Sequence, residues 1–378
     1  MNSTNEIPVL LLTGYLGSGK TTLLNRILSN TRGIRFAVIV NDIGEVNIDA
    51  SLIARDGIVG AKDESLVALQ NGCICCTLKM DLVEQLRDIV AMGRFDYIVV
   101  EASGICEPEP IARTICSIPY MGGEYTEAGV PKLDCIVTVV DALRMRDEFA
   151  CAKDLLRGNI GEDDIEKLVI EQLEFCNVIL LNKASELSAD DLGRVRAIVS
   201  SIQPKADIYE CDYGDVAFSK ILSTGKFDYD SVSASASWVS EVEKGADIEN
   251  EEEGESEEYG IGTYVYFNRR PFDINRFDDL VVKHWPAGII RAKGMCYFDD
   301  EPDKCFIFEQ AGAQMSLNNV GQWYATMPAD ELEEHLRTDT QLQRDWDPEY
   351  GDRMQKLVFI GQHLDREAIK KALDTCLI

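Results

Sequence analysis

Gly14-Tyr15-Leu16-Gly17-Ser18-Gly19-Lys20-Thr21 decides how this chain of 378 residues is read. It is a complete Walker A element. The apolar run Val9-Leu10-Leu11-Leu12 leads in, and Thr22-Leu23-Leu24-Asn25-Arg26-Ile27-Leu28 leads out with helical spacing. That is the strand–loop–helix context the motif needs. Glycines let the backbone turn tightly enough to aim several N–H groups at one anion, and the following helix adds its positive end. Lys20 reaches the outer phosphates, and the Thr21 hydroxyl is a ligand for Mg²⁺. Gly14, Gly17, Ser18, Gly19, Lys20, Thr21 and Thr22 are therefore the expected nucleotide-binding residues.

Outward from this loop, strand-like and helix-like segments alternate over about the first 230 residues. Val9–Thr13, Phe36–Asn41, Tyr97–Glu101, Cys135–Asp141 and Val178–Asn182 are short apolar runs ending in a polar residue. Strands buried on both faces of a parallel sheet have this pattern. Helical spacing lies between several of them, at Thr22–Leu28, Leu82–Met92, Ile165–Glu174 and Asp190–Ser201. The expected fold is α/β, a P-loop NTPase with a doubly wound, mostly parallel sheet spanning residues 1–230. Ligands of such a sheet bind at the carboxyl ends of its strands. Residues 231–260 form an expected acidic linker, since Asp247–Glu258 carries eight carboxylates in twelve residues and no base. Residues 261–378 are expected to form a smaller α+β domain. Its strands are Tyr264–Phe267, Ile289–Phe298, Cys305–Phe308 and Lys356–Gly361, and its helices Asp273–His284 and Arg366–Leu373.

A net charge of −29 disfavours broad contact with nucleic acid or anionic membrane, because both are polyanions. No apolar run approaches the ~18 residues of a spanning helix. The polar start Met1-Asn2-Ser3-Thr4-Asn5-Glu6 lacks the basic region of a signal peptide. A cytoplasmic location is expected, where twelve cysteines would not form a disulfide framework. Cys135, Cys176, Cys211 and Cys296 stand singly in apolar surroundings and are expected to be small buried hydrophobes.

Asn71-Gly72-Cys73-Ile74-Cys75-Cys76-Thr77 is a different matter. Thiolates favour Zn²⁺ and Cu(I). In an extended segment Cys73 and Cys75 share a face while Cys76 points away. The backbone must therefore turn for all three to meet one ion, which Gly72 eases. No second Cys-x-x-Cys pair completes a structural zinc site. An exchangeable ion is expected, with a carboxylate, a water, a partner's group or Cys106 as fourth ligand. Burial without a ligand, or thiol redox chemistry, are the competing readings of the cluster.

Together these segments resemble the CobW-type metal-chaperone GTPases, relatives of the nickel-insertion GTPases for urease and hydrogenase. The resemblance rests on Gly14–Thr21, Asn41-Asp42-Ile43-Gly44-Glu45-Val46-Asn47-Ile48-Asp49, Cys73-Ile74-Cys75-Cys76 and Glu101-Ala102-Ser103-Gly104. Val139-Val140-Asp141-Ala142 and Asn182-Lys183 extend it, as do Arg269-Arg270-Pro271-Phe272, Lys293-Gly294 and Phe359-Ile360-Gly361 in the second domain. It implies a GTPase that binds Zn²⁺ or a similar ion at Cys73, Cys75 and Cys76 and delivers it to a client metalloprotein under nucleotide control. Carried over by position, Lys20 and Thr21 serve the phosphates and Mg²⁺. Glu101 is the carboxylate for Mg²⁺ or water, Glu45 and Asp49 lie on a switch segment, and Asn182 and Lys183 serve the base. The implied cofactors are GTP, Mg²⁺ and Zn²⁺. The implied partner is a client metalloprotein, with no nucleic acid and no membrane, and a homodimer is left open.

Two departures from the family pattern matter. Its guanine motif is Asn-Lys-x-Asp, but here Asn182-Lys183-Ala184 is followed by Ser185. Glu186 is a substitute only if the loop shifts, so the margin of GTP over ATP is expected to narrow. The chain also has only three histidines, His284, His335 and His363, where many relatives carry a His-rich stretch. A single ion at the cysteines is expected rather than storage. The alternatives are an activator dedicated to one enzyme, such as a nitrile hydratase-like client, and a non-catalytic metal or redox sensor.

Overall fold

The apolar runs become strands of one sheet. The computed structural model describes residues 6–29, 33–40, 66–70, 79–149, 163–233, 258–312 and 314–378. Its first sheet contains β1 (Glu6–Thr13), β2 (Phe36–Val40), β3 (Leu66–Gln70), β4 (Tyr97–Glu101), β5 (Val130–Asp141), β6 (Val178–Asn182) and β7 (Asp207–Glu210). Their order is β3-β2-β4-β1-β5-β6-β7, and every pairing is parallel. The chain leaves β1 toward the β2–β3 edge and leaves β5 toward the β6–β7 edge. The carboxyl ends of β4, β1 and β5 consequently flank a topological switch point, where a crevice opens.

Burial explains the near-continuous apolar runs. β2, β4 and β6 are buried at every position. Leu10, Leu12, Val99, Val137 and Leu180 meet Leu23, Leu24 and Ile27 of the helix Lys20–Leu28 in one core. Leu23 and Ile27 lie one turn apart, so the helix turns a single apolar stripe to the sheet. Its first residue, Lys20, is thereby held at the carboxyl edge of β1. Cys135, Cys176 and Cys211 are buried as expected. Several elements of this unit were not anticipated, among them β3, β7, the short helices Ala142–Phe149 and Tyr229–Ser233, and the helix Pro108–Met121, which opens on Pro-Glu-Pro and contains Pro119.

The chain divides into two compact units. One comprises Met1–Glu148, Leu168–Arg196 and Gln203–Ala236, and the other Phe149–Lys167, Ala197–Ile202 and Ser237–Ile378. The second carries an antiparallel sheet, β8 (Ile261–Asn268), β9 (Ile289–Cys296), β10 (Lys304–Ala311), β11 (Gln314–Gln322) and β12 (Gln355–Gln362), ordered β11-β10-β9-β12-β8. Phe277 from the helix Ile274–Lys283 and Leu373 from the helix Arg366–Asp374 join Phe272, Phe298, Phe308 and Phe359 in its core. Gly294 is obligatory there: a Cβ would lie 2.0 Å from the Lys356 carbonyl of the neighbouring strand. Trp323 is buried edge-on against Tyr297, and Trp285 packs on Phe308, so both serve the core.

Candidate functional site

The loop after β1 is shaped by glycine. Gly14, Gly17 and Gly19 adopt φ of 132°, 79° and 109°, which side-chain-bearing residues rarely reach. Space forbids substitution as well, since a Cβ on Gly14 would lie 2.2 Å from Val139 O of β5 and one on Gly19 2.3 Å from Asn182 Nδ2. The loop closes on itself through Ser18 N, which donates to Tyr15 O at 3.1 Å, and through Lys20 Nζ, which donates to the same carbonyl at 3.2 Å. Gly19 caps the helix Lys20–Leu28 without a side-chain hydrogen bond. Its first N–H groups are left for an anion. The Ser18 hydroxyl, buried and without a hydrogen-bond partner among the described residues, completes a donor set that fits a polyphosphate.

A hard-cation site adjoins it. Thr21 Oγ1 donates to Glu101 Oε1 at 3.1 Å. Glu101 ends β4, beside β1, so parallel pairing alone brings the two residues together. A hydroxyl and a carboxylate are the oxygen donors Mg²⁺ prefers. Just beyond Glu101, the segment Ala102–Cys106 lies on the phosphate loop. A Cβ on Gly104 would fall 2.8 Å from Leu16 N. Gln172 Nε2 holds this segment by donating to Cys106 O at 3.1 Å and Gly104 O at 3.4 Å.

Asn182 and Lys183 reach the same edge from β6 and do more than sequence suggests. Asn182 Nδ2 donates to Ser18 O at 2.8 Å, and its Oδ1 accepts from Gly214 N at 3.1 Å. Its side chain is thus a strut between the phosphate loop and the loop after β7. Lys183, at φ 61°, pairs with Asp141 at the end of β5. Asp141 Oδ1 also accepts from Arg144 N at 3.1 Å, and the Arg144 guanidinium stacks 4.2 Å from the Tyr15 ring centroid. This chain of contacts ties the Asn-Lys loop to the phosphate loop a second time. Ser185, the departure from the guanine motif, donates through N and Oγ to Asp212 Oδ1 at 3.1 and 2.9 Å. Burial first, and then the charges of Asp212 and Asp215, push the adjacent Cys211 thiol up to about 11, so it stays neutral.

Sequence reading singled out Gly14 through Thr22, Glu101, Asn182 and Lys183, and they meet at this edge. Gln172, Arg144 and Asp212 were missed, because nothing local marks a residue that acts across strands. Glu45, Asp49, Cys73, Cys75 and Cys76 lie outside the described residues. Among the described residues, no group of three or more His, Cys, Asp or Glu is arranged to hold a metal ion.

Comparison with known proteins adds the family. Residues 8–210 match "CobW/HypB/UreG, nucleotide-binding domain", and residues 261–377 match "Cobalamin synthesis protein cobW C-terminal domain". The zinc-regulated GTPase metalloprotein activator 1 of Dictyostelium discoideum is 35% identical over 99% of this chain and 80% of its own length. The zinc chaperone CobW of Pseudomonas aeruginosa is 32% identical over 59% of this chain and 61% of its own. The zinc chaperone YjiA of Escherichia coli is 26% identical over 97% and 98%.

Proposed function

Because the chain is a P-loop GTPase belonging to the CobW/HypB/UreG family, we propose that it carries one zinc ion at Cys73, Cys75 and Cys76 and releases it to a client metalloprotein as its nucleotide changes. The observation that carries this reading is the placement of strand ends. Gln70, the carboxyl end of β3, lies on the edge that carries the phosphate loop, and the cysteine segment follows it in the sequence. β3 lies three strand spacings from β1, about 14 Å at ~4.8 Å each. Over such a span a switch segment can sense the γ-phosphate and alter the thiolates' geometry.

The nucleotide half of the cycle follows from the site. Backbone N–H groups of the loop and Lys20 neutralise the phosphates, and Asn182 holds the loop in shape. Mg²⁺, when bound, supplies further charge neutralisation on the phosphoryl group, with Thr21 and Glu101 as its protein donors. Glu45 and Asp49 are proposed to belong to the segment that orders on the γ-phosphate. Nucleotide and zinc would then be linked reciprocally, each changing the other's affinity by one factor.

We place the cycle in the cytoplasm. No disulfide links the cysteines among the described residues, and thiols offered to an exchangeable ion suit a reducing compartment. The test is zinc affinity of the metal-free protein, measured by competition with a chromophoric chelator in the presence of GDP and of a non-hydrolysable GTP analogue. One site whose affinity shifts between the two nucleotides, and which is lost in Cys75→Ser, is the expected result. Equal affinity in both states would break the cycle. Co-purification with a single enzyme would instead identify a dedicated activator.

A further inference from the structure

Ser185 removes the carboxylate that an Asn-Lys-x-Asp loop turns toward guanine, yet the structure puts a carboxylate beside that serine. Asp212, on the loop leaving β7, accepts from Ser185 N and Oγ through Oδ1 alone, at 3.1 and 2.9 Å. Its Oδ2 accepts no hydrogen bond from any described residue, and Asp212 forms no ion pair among them. The nearby bases are engaged elsewhere, Lys183 with Asp141 and Arg26 with Asp215. The Asp212 loop is fixed against the Asn-Lys loop by Ala184 N, which donates to Cys211 O at 3.2 Å, and by Gly214 N, which donates to Asn182 Oδ1 at 3.1 Å. Ser185 is exposed and Asp212 half-buried, so the carboxylate borders open space beside Asn182, which itself touches the phosphate loop.

From this we infer that Asp212, positioned by Ser185, is the purine-selecting residue of this GTPase. The inference rests on the GTPase reading above. Guanine presents its ring N1–H and exocyclic amino group as adjacent donors, which an anchored carboxylate with spare lone pairs accepts. Adenine presents a lone pair at N1, which the same carboxylate repels. Glu186, the last residue of the short turn Ala184–Glu186, is exposed, and its side chain is held by no hydrogen bond or ion pair among the described residues.

The experiment is equilibrium binding of fluorescent GTP, inosine triphosphate, xanthosine triphosphate and ATP to the full chain, with Asp212→Asn, Ser185→Ala and Glu186→Gln alongside wild type. Wild type should prefer GTP to ATP, and to inosine triphosphate, which lacks the exocyclic amine, by about tenfold or more. Asp212→Asn should lose about 10- to 100-fold in GTP affinity and gain for xanthosine triphosphate, whose O2 accepts from the new amide. Ser185→Ala should weaken GTP several-fold without altering the order of bases. A folded Asp212→Asn that keeps the wild-type order overturns the inference, as does a Glu186→Gln variant that switches it. If Asp212→Asn does not fold, the wild-type ratio of GTP to inosine triphosphate decides, and a ratio near one overturns the inference. A wild-type chain that binds no nucleotide would instead refute the GTPase reading itself.

Discussion

Replacing Asn182 with alanine tests whether this residue is a strut or a ligand. Its side chain is 3% exposed and makes hydrogen bonds of 2.8 Å to Ser18 O and 3.1 Å from Gly214 N. Alanine leaves both groups in place without partners. Ser18 is 1% exposed, so water does not readily replace the amide at its carbonyl. An orphaned buried polar group costs about 1–3 kcal/mol, and two of them, allowing for partial relaxation, give about 3 kcal/mol. For a domain of this size that lowers the melting temperature by about 6–12 °C. The phosphate loop loses its tether to β6 at the same time. If half of that energy must be restored when nucleotide orders the loop, affinity for GTP falls about tenfold. The assay is thermal unfolding of the nucleotide-free protein beside a fluorescent GTP titration. Asn182→Asp should fare no better, because it loses the donor and sets a negative charge against the Ser18 carbonyl. An Asn182→Ala protein that melts within about 2 °C of wild type but binds GTP far more weakly would refute the strut, since only a direct nucleotide contact behaves that way.

Gly104→Ala should weaken GTP binding by about tenfold, because its methyl group would displace Leu16 N, now 2.8 Å away, and overpacking of this kind costs about 1–3 kcal/mol; unchanged affinity would show that the segment after β4 yields freely. Thiol labelling should follow burial. Desolvation pushes Cys135 and Cys176 up to about 12, so both remain protonated thiols at pH 8 and gain thiolate only as the pH nears that value. Mass spectrometry after brief alkylation at pH 8 should find both unmodified in the native protein, with Cys73, Cys75 and Cys76 labelled in the metal-free protein and protected by Zn²⁺. Early labelling of Cys135 would contradict its placement in the sheet core.

Local chain chemistry was enough to establish the phosphate loop, because its glycines, lysine and threonine are contiguous and act within one turn of backbone. It also revealed the central strands, whose burial on both faces leaves unbroken apolar runs at β1, β2, β4 and β6. Edge strands gave weaker signals. β7 is Asp207-Ile208-Tyr209-Glu210 with exposed ends, and β11 is exposed over its second half, so neither carries the pattern of a buried strand. The helix Pro108–Met121 was hidden by its prolines, Pro108 and Pro110, which fit its first turn, and Pro119 near its end. Cross-strand partnerships were beyond the sequence altogether. Thr21 and Glu101 are 80 positions apart, Ser18 and Asn182 164, and Ser185 and Asp212 27. No periodicity records such pairs, because strand order and parallel register place them together. Sequence by itself determined that the chain folds around a phosphate loop. The tertiary structure decided which residues brace that loop and which carboxylate stands beside Ser185, because both depend on neighbours the chain meets only after the sheet has formed.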